Sequence, residues 1–172
     1  ASKQQIQALQ NGVFDINFNV TSYYSPLAPE LNAFQLSRLM PWEERKQAFY
    51  DYMQKRHEKI GVAYLGRWLH GPFYLWTKER VSGLEDLKGL KLRTGPMYIY
   101  FMNKLGVSSV SIKPTDVYTA LERGTADGFA WPLLGPRELG WTDSCKYLID
   151  HGFYMMDGTI IFNRDTWEGL TE

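Results

Sequence analysis

Strand-like and helix-like segments take turns along almost the whole chain, and glycine stops most of the helices. Residues 2–10 have helical character and end at Asn11-Gly12. In FDINFN, Phe14, Ile16 and Phe18 alternate with Asp15 and Asn17, which predicts a strand. SYYSPLAPE reads as a loop because Pro26 and Pro29 block regular structure, and NAFQLSRL as an extended segment. A long helix is expected over 42–60. Pro41 suits its first turn, Glu43 and Glu44 its positive end, and Lys55, Arg56 and Lys59 its negative end. Phe49, Tyr52, Met53 and Ile60 form its buried stripe, and Gly61 stops it. VAYLGRW and PFYLWTK follow as strands, then GLEDLKG as a helical turn or two, and LKLR as a strand. Helix 96–105 ends at Gly106, VSSVSI is a strand, and helix 115–123 ends at Gly124. TADGFAW reads as a strand, PLLGPRELG as a short helix interrupted by proline, KYLID and FYMMDGTIIFN as strands, and RDTWEGL as the start of a helix. Such alternation is the mark of an α/β protein with a mixed, largely parallel sheet.

Composition narrows what this fold serves. The chain has 172 residues, enough for one well-cored domain or two small lobes. Its 19 basic and 19 acidic residues balance, without a basic run, so nucleic acid is not an expected partner. The longest apolar stretch, Met97 to Met102, is far too short to enter a bilayer as a span. Cys145 is alone, which excludes an internal disulfide and a cysteine metal cluster. The first residues, ASKQQIQALQNG, contain neither an initiator Met nor a signal peptide, as expected after removal of a leader or for a start inside a longer gene. Aromatic residues are abundant, with 6 Trp, 11 Tyr and 9 Phe, and suggest a pocket or interface lined with flat apolar surface.

Catalytic constellations are missing. His57, His70 and His151 lack metal-ligand spacing, and polar neighbours on the long helix predict a solvated His57. There is no GxSxG, GxGxxG or GxxxxGK[ST]. Glu85 and Asp86 point apart, and Glu43-Glu44 is a helix-start feature rather than an acid–base pair. The chain is therefore not expected to be an enzyme, and neither a cofactor nor a metal is implied. Binding is better served. An arginine holds a carboxylate through two parallel charge-assisted hydrogen bonds. In LKLR, Leu90 and Leu92 fall on one face of the strand while Lys91 and Arg93 fall on the other. By periodicity alone Arg93 is either a solvated strand residue or an anion holder. It does stand at a strand's carboxyl end, where ligands sit in open α/β sheets. Trp131-Pro132 ends TADGFAW and Trp68 ends VAYLGRW. Asp127-Gly128 has a plainer role, with the Asp ordering a turn and the Gly allowing a tight backbone, and Glu122 reads as a solvated or helix-supporting charge.

In this order, the segments resemble the DctP-type substrate-binding proteins of tripartite ATP-independent periplasmic (TRAP) transporters. ALQNGVFDINFN is similar to the family's helix and following strand, and SYYSPLAPEL to the loop after it. HEKIGVAYLGRW is similar to the strand that ends in an aromatic residue at the cleft. LEDLKGLKLRTG resembles the family's most recognisable stretch, KLGVSSVSIKPTDVYTALERGTADGFAWP the segment that follows it, and GTIIFNRDTWEGL the region near the hinge.

The resemblance implies a periplasmic-binding-protein-like, type II-like bilobed fold, incomplete at both ends. Residues 1–85 would be the remainder of the N-terminal lobe, 86–153 the second lobe, and 154–172 the crossover back with the start of a hinge helix. It implies a periplasmic receptor that captures an organic carboxylate and delivers it to TRAP membrane permease subunits, with no membrane insertion of its own. A sensory receptor of the same fold is the alternative, and a carboxylate-acting enzyme the more remote one. Arg93 falls on the arginine that binds the substrate carboxylate in that family. Trp131 stands where sialic-acid-type members carry a small polar amide, which favours an apolar or aromatic carboxylate over a sugar acid. Tyr23, Tyr24, Trp68, Met97 and Phe129 are further candidates for the pocket. The FDINF strand would lack its usual neighbours, and its exposed edge would favour pairing with a second copy of the chain.

Overall fold

The structure, a computed structural model, describes residues 4–170, so Ser2 and Lys3 of the first expected helix lie outside the described residues. The chain divides into two compact units, Ala1–His70 with Met156–Glu172, and Gly71–Met155. Strands β2 (Val62–Thr77) and β6 (Tyr147–Asn163) run through both, so each contributes one part to each unit. With β1 (Ile16–Val20), β3 (Lys91–Arg93), β4 (Ser108–Val110) and β5 (Gly128–Trp131) they form a mixed sheet of hydrogen-bonding order β1-β6-β2-β5-β3-β4. The pairs β1–β6 and β2–β5 are antiparallel, and β3 pairs in parallel with both β4 and β5.

In the first unit, α1 (Gln5–Gln10) buries Ile6 and Leu9, and Gly12 ends it at a φ of 67°. Tyr24, Leu31, Phe34, Met53, Tyr64 and Ile161 share its core. The strand predicted from FDINFN forms, but its apolar side looks outward. Phe18 is 64% exposed and Ile16 43%, whereas Asn19 is 1% exposed and faces the core. Pro29–Leu36, read as the end of a loop and the first part of an extended segment, winds instead into a 3-10 helix that seats Leu31 and Phe34 in the core.

The expected helix over 42–60 is broken into α2 (Pro41–Glu44) and α3 (Ala48–Lys59). Its start is as read: Pro41 opens it and Glu43 Oε2 accepts from the Met40 N–H at 2.8 Å. The break follows from Glu44, which turns inward onto Arg67. Arg67 Nη2 donates to Oε1 at 2.6 Å and Nε donates to Oε2 at 3.1 Å. Arg67 also donates to the carbonyls of Phe34 (2.9 Å) and Leu39 (3.0 Å). Gln47 is extended, with φ −117° and ψ 151°, and α3 starts afresh on a different face. As a result Tyr52, placed in the buried stripe by spacing, is 46% exposed, and His57 is wholly buried instead of solvated. Its ring stacks on Tyr64 at 4.6 Å.

In the second unit, β3 lies between β4 and β5 in register Leu92↔Ser109 and Leu92↔Gly128. The helices α4 (Ile99–Lys104) and α5 (Val117–Glu122) are shorter than predicted, and a 3-10 turn, Pro114–Asp116, leads into the latter. PLLGPRELG forms bends and turns rather than a helix, with Pro132 and Pro136 interrupting it. Val117, Leu121, Ala126, Phe129 and Trp141 fill the core. Asp127, expected to order a turn, instead ties the approach to β5 to the start of β3: its Oδ2 accepts from Lys91 N–H at 2.9 Å. Gly128 is required where β5 meets β2, because a Cβ there would run into the Trp76 carbonyl. Finally α6 (Arg164–Glu168) returns in the first unit, capped by Asn163, whose Oδ1 accepts from Thr166 N–H at 2.9 Å.

Candidate functional site

Arg93 is the last residue of β3. Strand alternation puts it on the same side as exposed Lys91, yet it is only 8% exposed. The difference lies in its position on the central strand of the parallel layer β4-β3-β5, at the end where the chain after β4 folds over it. There the Ile112 carbonyl accepts from Arg93 Nε at 3.0 Å, and the guanidinium carbon lies 5.1 Å from the centroid of a Trp131 ring. Both contacts orient the group; neither neutralises it. The ion pairs among the described residues are Arg56–Glu30, Arg67–Glu44, Lys88–Glu85 and Arg164–Glu168, and Arg93 has no carboxylate partner. A buried guanidinium without an anion is costly, and its forked donors match a carboxylate or phosphate.

The wall behind it is aromatic. Trp131 meets Trp141 edge-on at 5.1 Å and Phe73 at 5.9 Å, and Phe73 in turn meets Tyr154 at 5.3 Å and Tyr98 at 5.8 Å. Register explains part of this: Tyr74 pairs with Trp131, and Arg93 with Phe129. Phe129 is fully buried and stacks on Trp76 at 5.8 Å, so it supports the wall from within the core. Met97 is half-buried in the turn before α4. The structure thus brings Arg93, Trp131 and Phe129 together. Phe73, Tyr98 and Tyr154 were missed by the sequence reading; only the high aromatic content hinted at them.

The other three candidates belong to the first unit. Tyr24 is buried in its core, with its hydroxyl 2.9 Å from His57 Nε2 and 2.5 Å from Thr159 Oγ1. Tyr23 is half-buried in the adjoining 3-10 turn Thr21–Tyr23. The Trp68 indole lies flat against Gly158, where a Cβ would stand 2.5 Å from the ring. A surface cavity of about 190 Å³ in this unit lies between α3, β2 and α6, and its Arg164 and Glu168 already pair with each other at 2.7 Å.

Burial holds two groups of the kind that can react, His57 and Cys145, in their neutral forms. Burial lowers the His57 pKa to about 4 against a hydrogen bond to the Met53 carbonyl, leaving a neutral, fully engaged ring. Burial likewise raises the Cys145 thiol to about 11, which suppresses the nucleophilic thiolate. No group of three or more His, Cys, Asp or Glu among the described residues is arranged to hold a metal ion, and no described helix is long and apolar enough to cross a membrane.

The second unit thus holds one oriented, nearly buried arginine beside a wall of aromatic rings. The chain belongs to the DctP family, described as bacterial extracellular solute-binding protein, family 7, whose model matches residues 1–172. These are transport receptors, not enzymes. Among curated relatives, it is 26% identical to a monocarboxylate 2-oxoacid-binding periplasmic protein of Nostoc sp., over 97% of this chain and 49% of that protein. Among solved structures, a TRAP periplasmic solute-binding protein from Ochrobactrum anthropi is 26% identical, with a TM-score of 0.83 over 100% of this chain and 56% of that one. One from Pseudomonas putida, with bound D-glucuronate, is 23% identical with a TM-score of 0.81 over 99% of this chain and 59% of that one. The α/β fold is therefore that of TRAP solute-binding proteins. The chain spans about half the length of the curated relatives that it matches along nearly all its residues.

Proposed function

We propose that this chain carries the carboxylate-binding part of a periplasmic receptor that hands an organic acid to TRAP membrane permease subunits. The observation that carries the reading is Arg93: 8% exposed, oriented by Ile112 and Trp131, and without a carboxylate partner among the described residues. A bound carboxylate supplies the missing anion through two parallel hydrogen bonds. The aromatic wall of Trp131 and Phe73 favours a flat or apolar acid, such as a short 2-oxoacid or an aromatic carboxylate, over a polyhydroxylated sugar acid. The named specificity of the Nostoc relative, a monocarboxylate 2-oxoacid, agrees with this class.

Thermal melting in the presence of an organic-acid panel tests the reading. A ligand at ~100 times its dissociation constant stabilises by about 2.7 kcal/mol. Arg93→Ala is expected to abolish the shift and Arg93→Lys to retain only part of it, since a lysine lacks the planar fork. A panel without effect on wild-type melting, or a shift that survives Arg93→Ala, would sink the proposal.

A further inference from the structure

The first unit contains a second buried charge without a counter-ion, and its sign is opposite. In the β1–β6 ladder Asn19 opposes Thr159 and Val20 opposes Gly158. Asn19 and Thr21 therefore share the inward face with Asp157 and Thr159. Thr21 Oγ1 donates to Asp157 Oδ2 at 3.0 Å. The other carboxylate oxygen, Asp157 Oδ1, is buried and has no hydrogen-bond partner, and both amide atoms of Asn19 are in the same condition. Each of these residues is 1% exposed, so bulk water does not serve them.

The surrounding groups are already committed. Arg67, whose charge acts on Asp157, is itself held bidentately by Glu44, which offsets part of it. Tyr24 and Thr159 bond to each other at 2.5 Å, and Tyr24 also reaches His57 at 2.9 Å. The Thr159 hydroxyl also donates to the Asn19 carbonyl at 3.4 Å, so what is left on this face is Asp157 Oδ1, the two amide atoms of Asn19 and the hydroxyl oxygen of Thr21. A single carboxylate among neutral oxygens is weak for a divalent ion, and without His or Cys it does not suit a transition metal. It suits a singly charged cation that is content with oxygen donors.

We propose that Asp157 and Asn19 form a subsite for a monovalent positive group, either an alkali cation or the protonated amine of an organic solute. This does not depend on the carboxylate reading of Arg93. Its probes carry no carboxylate, so the two can fail separately.

The test is melting of the full chain at constant ionic strength in choline chloride, with sodium, potassium or propylammonium chloride substituted in turn. Wild type is expected to show a saturable stabilisation by at least one of the three, weakened about tenfold or more in Asp157→Asn, in line with loss of a charge-assisted contact. Arg93→Met is expected to leave it unchanged. A response to the alkali salts identifies an inorganic cation, and one to propylammonium alone identifies an amine. A flat response to all three overturns the proposal, as does an equal response in Asp157→Asn. Should that variant not fold, crystals of wild type soaked in thallium(I) decide an alkali response: an anomalous peak beside Asp157 Oδ1 and Asn19 Oδ1 supports the subsite, and a peak only elsewhere refutes it. An amine response is decided by Asn19→Leu, which must weaken it.

Discussion

Two arginines show how much a single guanidinium's surroundings decide. Arg67 and Arg93 are 6% and 8% exposed, both on strands. Arg67 is satisfied by Glu44 and two carbonyls, so it serves structure. Arg93 has one carbonyl and a tryptophan face, and no carboxylate partner among the described residues. The two respond oppositely to removal. Arg67→Met leaves Glu44 buried and unpaired, and is expected to lower stability by about 3–5 kcal/mol in chemical unfolding. Adding Glu44→Leu should recover much of that loss, because two well-packed apolar groups replace the pair. Arg93→Met removes an uncompensated charge. The ligand-free protein is expected to be as stable as wild type or more so, while carboxylate binding disappears. A large loss of stability in ligand-free Arg93→Met would mean that the arginine is structural.

At the scale of elements, the strands carry the site and their close contacts set its tolerance. β5 approaches β2 so tightly at Gly128 that a methyl group would meet the Trp76 carbonyl and stand 2.9 Å from Leu92 Cδ2. Gly128→Ala is expected to destabilise by at least about 1–3 kcal/mol, the usual cost of overpacking, and to weaken ligand binding with it, since Trp131 and Arg93 ride on the same strands. Binding at wild-type strength in a folded Gly128→Ala protein would argue against that coupling. Some of these elements were plain in the chain. LKLR between two glycines, TADGFAW and the start at Pro41 follow from local patterns that need no partner to be recognised. The break at residues 45–47 had no such signal, because it arises from Glu44 reaching Arg67, which is 23 residues away. β1 illustrates the same limit: alternation marks a strand but does not say which side is inward, and here the asparagines are.

For the molecule as a whole, the buried histidine links stability to pH. His57 titrates near 6.5 when unfolded and at about 4 when folded, because burial penalises the charged ring. The unfolded state therefore binds the extra proton first, and stability falls as pH drops from about 6.5 towards 4, by up to about 3 kcal/mol. Asp157 acts in the opposite sense. Its burial raises its pKa above 3.8, so protonation on acidification relieves a cost present at neutral pH. Unfolding of wild type and His57→Gln compared between pH 7 and 5 separates the two, since Asp157 is common to both. The histidine variant is expected to show the shallower decline. Equal slopes would show that His57 does not carry the dependence.

The sequence by itself determined what depends on near neighbours: an α/β alternation, glycine stops, the strand that ends in Arg93, and the ordered segments that mark a TRAP-type solute-binding protein. Backbone preferences and short-range periodicity act over a few residues, so they can be read in one dimension. Only the tertiary structure decided which charges are buried and whether they are paired. It placed Arg93, which periodicity left open between a solvated strand face and an anion holder, in a buried, oriented position without a carboxylate partner among the described residues. It moved His57 from solvent to the core, and set Asp157 and Asn19 on a buried face where Asp157 Oδ1 and the Asn19 amide lack partners. Burial and pairing belong to groups that meet across long stretches of chain, and strand register and packing, not local pattern, bring those groups together.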